Sequence, residues 1–126
     1  MSGWTAYSDN LLQSGFFKQS FVLGTNGSIA GYSGAVTISQ QDAIAIAGIF
    51  ANPQNAFAGG IPCGGVKYVC IRSDGASLYG KKDKAGCCFA KCNTVIIGGV
   101  YDDPVQPGQA TNAVEKLAQY LRDVGC

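Results

Sequence analysis

Few side chains in this chain of 126 residues could carry covalent or acid–base chemistry. It has no histidine, so Ser-His and Cys-His pairs lack their usual proton acceptor, and a thiol nucleophile at Cys87 or Cys88 would have no base to activate it. The closely spaced thiols among Cys63, Cys70, Cys87, Cys88, Cys92 and Cys126 are adjacent or four apart, unlike the C-x2-C pairs of zinc sites. No G-x-S-x-G, G-x-x-x-x-G-K-[ST] or H-E-x-x-H string occurs. "GGIPCGG" (59–65) is glycine-rich but lacks the Lys-Ser/Thr ending that would hold a phosphate and its metal, so it reads as a turn. These absences predict a protein that is not an enzyme, with no catalytic residue, no metal and no cofactor. In "GCCFAKCNT" strand neighbours point to opposite faces, so at most one of Cys87 and Cys88 is expected to face the core. A chain that is 47% hydrophobic can build its core without disulfides, and the thiols read as small apolar fillers.

What remains is the chemistry of contact. Lys81, Lys82 and Lys84 crowd "YGKKDKAG", and Trp4, Tyr7 and Tyr120 offer rings near the two ends of the chain. Net charge is only +1 and charged residues make up 13%. A nucleic-acid partner is therefore not expected, and any polyanion site must be a local cluster. No basic segment followed by an apolar run opens the chain, and no window approaches the length that spans a bilayer; the expected location is cytoplasmic.

The elements that position these groups follow from periodicity. Trp4, Tyr7 and Leu11 recur at helical spacing, and "QSG" stops that helix. "FFKQSFVLG", the turn "TNG" and "SIAGYSG" predict a hairpin. Ser39 can cap a second helix through Asp42, with Pro53 ending it. "GVKYVCIRS", "ASLYGKK", "CCFAKC" and "TVIIGGVY", joined by short turns, predict an antiparallel meander. The last helix carries Ala110, Ala113, Val114, Leu117, Ala118, Leu121 and Val124 on one apolar face. The fold class is α+β, a single domain over residues 1–126 with a central antiparallel sheet flanked by helices, the terminal helices on the same face.

Three ordered motifs carry a family resemblance. "WTAYSDNLL" is similar to W-x-x-Y-x-D-x-L, "LYGKKDKAG" to a Y/R-G-K-K loop, and "VYDDPVQPGQ" with "VEKLAQYL" to P-G-Q…V-E-K/R-L-x-x-Y-L. In these the chain resembles profilin, the small actin-monomer-binding protein, of the plant and amoeba type, over almost its whole length. The resemblance implies a cytoskeletal regulator with three ligands. Proline-rich proteins such as actin nucleation or elongation factors would bind a groove of Trp4, Tyr7, Asn10, Tyr120 and Leu121, because a polyproline II segment suits a shallow aromatic surface with a few donors. The family's second tryptophan appears as Ala30 and its terminal aromatic as Cys126, which leaves a poorer groove. Tyr32, on the same strand face as Ala30, would replace part of the lost surface.

Monomeric actin would bind Lys67, Arg72, Lys82, Lys91, Gln106, Gly108, Thr111, Asn112 and Lys116, where basic rim residues orient an acidic partner and small uncharged ones allow close approach. Phosphatidylinositol bisphosphate would bind Arg72, Lys81, Lys82 and Lys84 and compete with actin for Lys82; a solvated turn weakened by Asp83 is the competing reading of that cluster. The rival of a different class is a small-ligand sensor on a similar sheet, which would bury Trp4 and Tyr7 around its ligand.

Overall fold

The computed structural model describes residues 4–34 and 38–126. In chain order the elements are α1 (Thr5–Gln13), β1 (Gln19–Gly24), β2 (Ile29–Gly34), α2 (Gln40–Ala51), α3 (Asn55–Gly59), β3 (Ile61–Cys63), β4 (Val66–Ser73), β5 (Ser77–Lys82), β6 (Ala85–Lys91), β7 (Val95–Tyr101) and α4 (Pro107–Asp123). The strands form one seven-stranded sheet in the order β2-β1-β7-β6-β5-β4-β3. Each pairing is antiparallel.

The helix starts obey local capping chemistry. Ser39 Oγ accepts the Asp42 N–H at 3.0 Å to open α2. At α4 the Gln106 N–H donates to Gln109 Oε1 at 3.0 Å, and Pro107 takes the first turn, where its missing N–H costs nothing.

The meander β4 to β7 forms as its turns predict. The first hairpin joins it through β1 on β7, a pairing between segments some seventy-five residues apart that no local pattern announces. "GGIPCGG" is more than a turn, because Ile61–Cys63 pairs with Val66–Tyr68 as the short edge strand β3. The residues before it form the additional helix α3.

Every residue of β7 is buried, which requires cover on both faces of the sheet. One face stacks Phe21, Leu23, Leu78, Phe89 and Ile96 against Ile46 and Phe50 of α2. The other packs Val22, Ala90, Val95 and Ile97 against Leu11 of α1 and Ala110, Val114, Ala118 and Leu121 of α4. The terminal helices therefore share a face, as expected. At Gly98 a Cβ would overlap the Cys88 carbonyl and the Phe89 ring, so the centre of the sheet admits no larger residue.

Two cores correct the reading of the adjacent cysteines. Cys87 and Cys88 do point to opposite faces, yet both are fully buried, Cys87 in the α2 core and Cys88 in the α1/α4 core. A thiol enzyme at either position would have no route to substrate. All six cysteines are free thiols, with Cys70 and Cys126 partly exposed. Burial pushes the Cys63 thiol up to about 12 and Cys92 up to about 11, and raises Cys87 and Cys88 strongly. In the folded protein at pH 8, an aromatic disulfide reagent is expected to label only Cys70 and Cys126 within minutes. The other four should react only on addition of denaturant; prompt release of more than two equivalents would show that the cores open readily.

Candidate functional site

The two terminal helices meet along a seam that opens to solvent. α1 lies close on β2 because Gly31 has no side chain: a Cβ there would stand 3.1 Å from the Thr5 nitrogen. Hydroxyls finish the docking. Ser8 Oγ and Ser33 Oγ are 2.8 Å apart, Ser33 also donates to Asp9 Oδ1, and Ser20 Oγ donates to the Ser8 carbonyl at 2.5 Å. These buried serines satisfy one another and fix α1 against the sheet. Along the seam Ala6, Tyr7 and Asn10 of α1 and Leu117 and Tyr120 of α4 line an open groove of about 470 Å³. The Trp4 ring lies 5.7 Å from that of Tyr7 and is tilted by 45° to it. Tyr120 is 54% exposed.

A second surface lies where α4 no longer covers the sheet. Val69 and Ile71 of β4 are 70% and 56% exposed, and Phe57 of α3 is 60% exposed. The β4–β5 register shifts between Cys70 and Arg72. This bulge inserts Ile71 as an extra residue and sets Arg72 opposite Tyr79, on the face that Val69 also occupies. Arg72 donates from Nε at 3.0 Å and from Nη2 at 2.8 Å to Asp74 Oδ2, and its guanidinium rests 5.7 Å from the centre of the Tyr79 ring. Asp74 also accepts the Ser77 and Ala76 N–H groups at 2.8 and 3.0 Å. Those backbone bonds, with Arg72 added, hold its carboxyl below the usual carboxylate range. From α4, Glu115 accepts the Ser77 hydroxyl at 2.6 Å and the Tyr79 phenol.

Comparison with known proteins matches this architecture closely. The family model described as Profilin covers residues 2–126. Profilin-1 of Dictyostelium discoideum is 43% identical over 123 residues, 97% of this chain and 98% of the relative. The crystal structure of Acanthamoeba castellanii profilin II superposes with a TM-score of 0.94 at 37% identity, over 98% of this chain and all of the other. Mouse profilin IIa, solved with a double repeat from the FH1 domain of mDia1, shares the fold at a TM-score of 0.73 and 22% identity, over 99% of this chain and all of the other.

The chain belongs to the profilin family.

Profilins are actin-binding cytoskeletal regulators without enzymatic activity, and the fold is a profilin fold. The sensor alternative loses its footing, because Trp4 and Tyr7 are only half-buried and Tyr7 lines an open groove, where a sensor would bury both round a ligand. In this profilin Tyr7, Asn10 and Tyr120 share the groove, with Trp4 packed on Tyr7. Leu121 does not reach it. It is fully buried with Ala110, Val114 and Ala118, and Leu117, four residues earlier and on the α1 side of that stripe, forms the wall instead. Tyr32 is half exposed in an adjoining recess with Thr5, Ile29, Ala30 and Gly31, next to the groove but not within it. Cys126 packs partly on the α1/α4 core, and its carbonyl accepts the Thr94 N–H at 2.5 Å and hydroxyl at 3.0 Å.

The basic residues do not form one cluster. Arg72 stands beside the Glu115 flank of α4, which also carries Thr111 one turn earlier, with Gly108 and Asn112 exposed on the outer surface. Lys116 is also outer, between that flank and Tyr120. Gln106 caps the helix start, and Lys91 is half-buried with its carbonyl accepting Arg122 at 2.7 and 3.1 Å. Lys67 and Lys82 line a recess with Phe57 and Val69 at the sheet edge. Lys81 and Lys82 are successive residues of β5 and project to opposite faces. Lys82 and Lys84 instead share a cavity of about 500 Å³ with Lys18, Asp83 and Asp102. Sequence reasoning missed Phe57, Val69, Ile71, Lys18 and Glu115. An apolar residue in excess of the strand's alternation, as at "VCIRS", was the one signal that could have pointed to the bulge.

Leu121→Ala is expected to cost about 2–5 kcal/mol in a denaturant titration, as buried leucines do, and Leu117→Ala less than half as much. Equal costs would mean that both leucines belong to the core.

Proposed function

We propose that this profilin binds monomeric actin on the exposed β4–β5–α4 surface and proline-rich segments in the α1–α4 groove, regulating filament growth in the cytoplasm as monomers are delivered to filament ends by proline-rich nucleation and elongation factors. One observation carries the reading: α4 has Leu117 and Tyr120 on one flank, facing the aromatic groove, and Thr111 and Glu115 on the other, beside Arg72. A single helix can then serve two ligands at once. The groove suits a polyproline II helix, since half-exposed rings accept prolyl rings by flat contact, and Asn10 and the Tyr120 hydroxyl are placed to donate to bare carbonyls. The structure of mouse profilin IIa with a double repeat from the FH1 domain of mDia1 supports this reading by the likeness of fold. For actin, Phe57, Val69 and Ile71 supply an apolar centre and Lys67, Arg72, Lys82 and Lys116 a basic rim, the arrangement expected for docking on an acidic surface.

Titration with purified monomeric actin and with a proline-rich peptide separates the two surfaces. Arg72→Glu is expected to weaken actin binding several-fold, more at low salt than at high salt, and to leave the peptide unaffected. Tyr120→Ala should weaken the peptide and leave actin unaffected. Trp4, the only tryptophan, reports peptide binding by fluorescence. Absence of both ligands' binding in the unmodified protein would refute the reading.

The proposal extends to phosphoinositide binding at the β5–β6 turn. Its support is that Lys81, Lys82 and Lys84 are all exposed around the β5–β6 turn, with Lys18 adding a cation across the cavity. Arg72, opposite Tyr79 and paired with Asp74, shares a sheet face with Lys81 and adds a further cation to the proposed lipid site. Vesicles containing phosphatidylinositol bisphosphate should lose about 1 kcal/mol of binding per lysine on Lys82→Ala and Lys84→Ala. Retention of full vesicle binding by the double variant would make the turn merely solvated.

A further inference from the structure

Glu115 is the only glutamate in the chain, and it sits half-buried on a helix whose sheet-facing neighbours Ala110, Val114, Ala118 and Leu121 are apolar and fully buried. Folding alone does not call for a carboxylate there, since taking a charge partly out of water is costly unless its oxygens are satisfied. One of them is satisfied in a directed way. The same oxygen, Oε2, accepts both the Ser77 hydroxyl at 2.6 Å and the Tyr79 phenol. Tyr79 is thereby held at its far end, and its ring is the surface beside which the Arg72 guanidinium lies at 5.7 Å. Asp74 grips the same guanidinium through Nε and Nη2. The cation is thus held on two sides, by a carboxylate along one edge and by its place over the Tyr79 ring.

We propose that Glu115 is a positioning residue for Arg72: through Tyr79 it holds the ring that orients the guanidinium, so that the actin-facing surface offers its cation already set. The proposal rests on the actin reading given above. A long basic side chain that must be immobilised on binding loses rotamer freedom, and one already held loses less, which is the ordinary gain from preorganisation. The chain Glu115–Tyr79–Arg72 also ties α4 to β5 and β4, so the helix half and the strand half of the surface keep one relative position. Burial, and then the bond to Glu115, pushes the Tyr79 phenol up to about 12, so the phenol stays protonated and able to donate throughout the physiological range.

The test is a double-mutant cycle with a direct view of the arginine. Glu115→Ala, Glu115→Gln and Tyr79→Phe are made in the natural chain and in an Arg72→Ala background. The affinity for monomeric actin is measured, and the Arg72 Nε–H resonance is followed by 15N NMR. Glu115→Ala should weaken actin binding about three- to tenfold in the natural background and cause no further loss once Arg72 is gone. Glu115→Gln, which keeps an oxygen to accept the phenol, should fall between. Tyr79→Phe, which keeps the ring and removes its hydroxyl, should resemble Glu115→Ala and serves if the latter folds poorly. In both Glu115→Ala and Tyr79→Phe the Arg72 signal should move toward that of a free side chain. Equal losses in the two backgrounds, or an unmoved Arg72 resonance, would overturn the proposal. If instead Arg72→Ala binds actin like the natural chain while the resonance still moves in Glu115→Ala, the positioning of Arg72 stands and the actin surface must be sought elsewhere.

Discussion

The constraint on which this molecule depends is that an interior strand of its sheet, β7, is buried on both sides. A seven-stranded sheet needs apolar cover above and below, and among the described residues two long helices and two short ones supply it. α2 covers one face. α1 and α4 share the other, covering β2, β1, β7 and β6 and touching the start of β5 through Glu115, before the sheet emerges again at the end of β5 and at β4. Both candidate surfaces are consequences of that incomplete cover. The seam between the two helices becomes the aromatic groove, and the uncovered strands, bulged at Ile71, become the surface that presents Val69, Ile71 and Arg72.

Close approach, not charge, holds these layers together. The two ion pairs among the described residues, Lys18–Asp102 and Arg72–Asp74, are solvent-exposed and contribute little to stability. The polar bonds inside are hydroxyls and backbone groups. Ser8, Ser20 and Ser33 tie α1 to the first hairpin, and Gly31 and Gly98 let backbone and ring approach where any Cβ would intrude. A chain with so few charges leaves its ionic groups available for recognition at isolated points. The cations do not form a single basic patch: Arg72, Lys67 with Lys82, the β5–β6 turn and Lys116 on α4 present them separately.

Local order was legible in the sequence, because it is written in local spacing. The apolar positions of α4, the Ser39 cap, the turns at Asp74 and Asn93, and the alternation of β4 to β7 each depend on contacts within a few residues. Together they specify an antiparallel α+β domain with terminal helices on one face. The three motifs at Trp4, Tyr79 and Gln106 added the family, since their order and separation belong to one fold. The short strand β3 was hidden, because three residues interrupted by Pro62 and bounded by glycines carry no periodic signal and become a strand only when β4 lies beside them.

Tertiary structure alone decided what depends on partners distant in sequence. Whether Cys87 or Cys88 is buried cannot be read from alternation when both faces of the sheet are covered, and both are. Leu117 and Leu121 belong to the same apolar face of α4, but the line between core and groove is drawn by where α1 lies against it, which puts Leu121 inside and Leu117 at the edge. The same holds for Arg72, whose orientation comes from a bulge, a ring on the next strand and a carboxylate on the last helix. The sequence by itself determined which residues could form helices, strands and contact surfaces, because propensity and periodicity are short-range. Which of those residues meet, and which remain at the surface, was decided by the packing of two helices over a sheet they cannot fully cover.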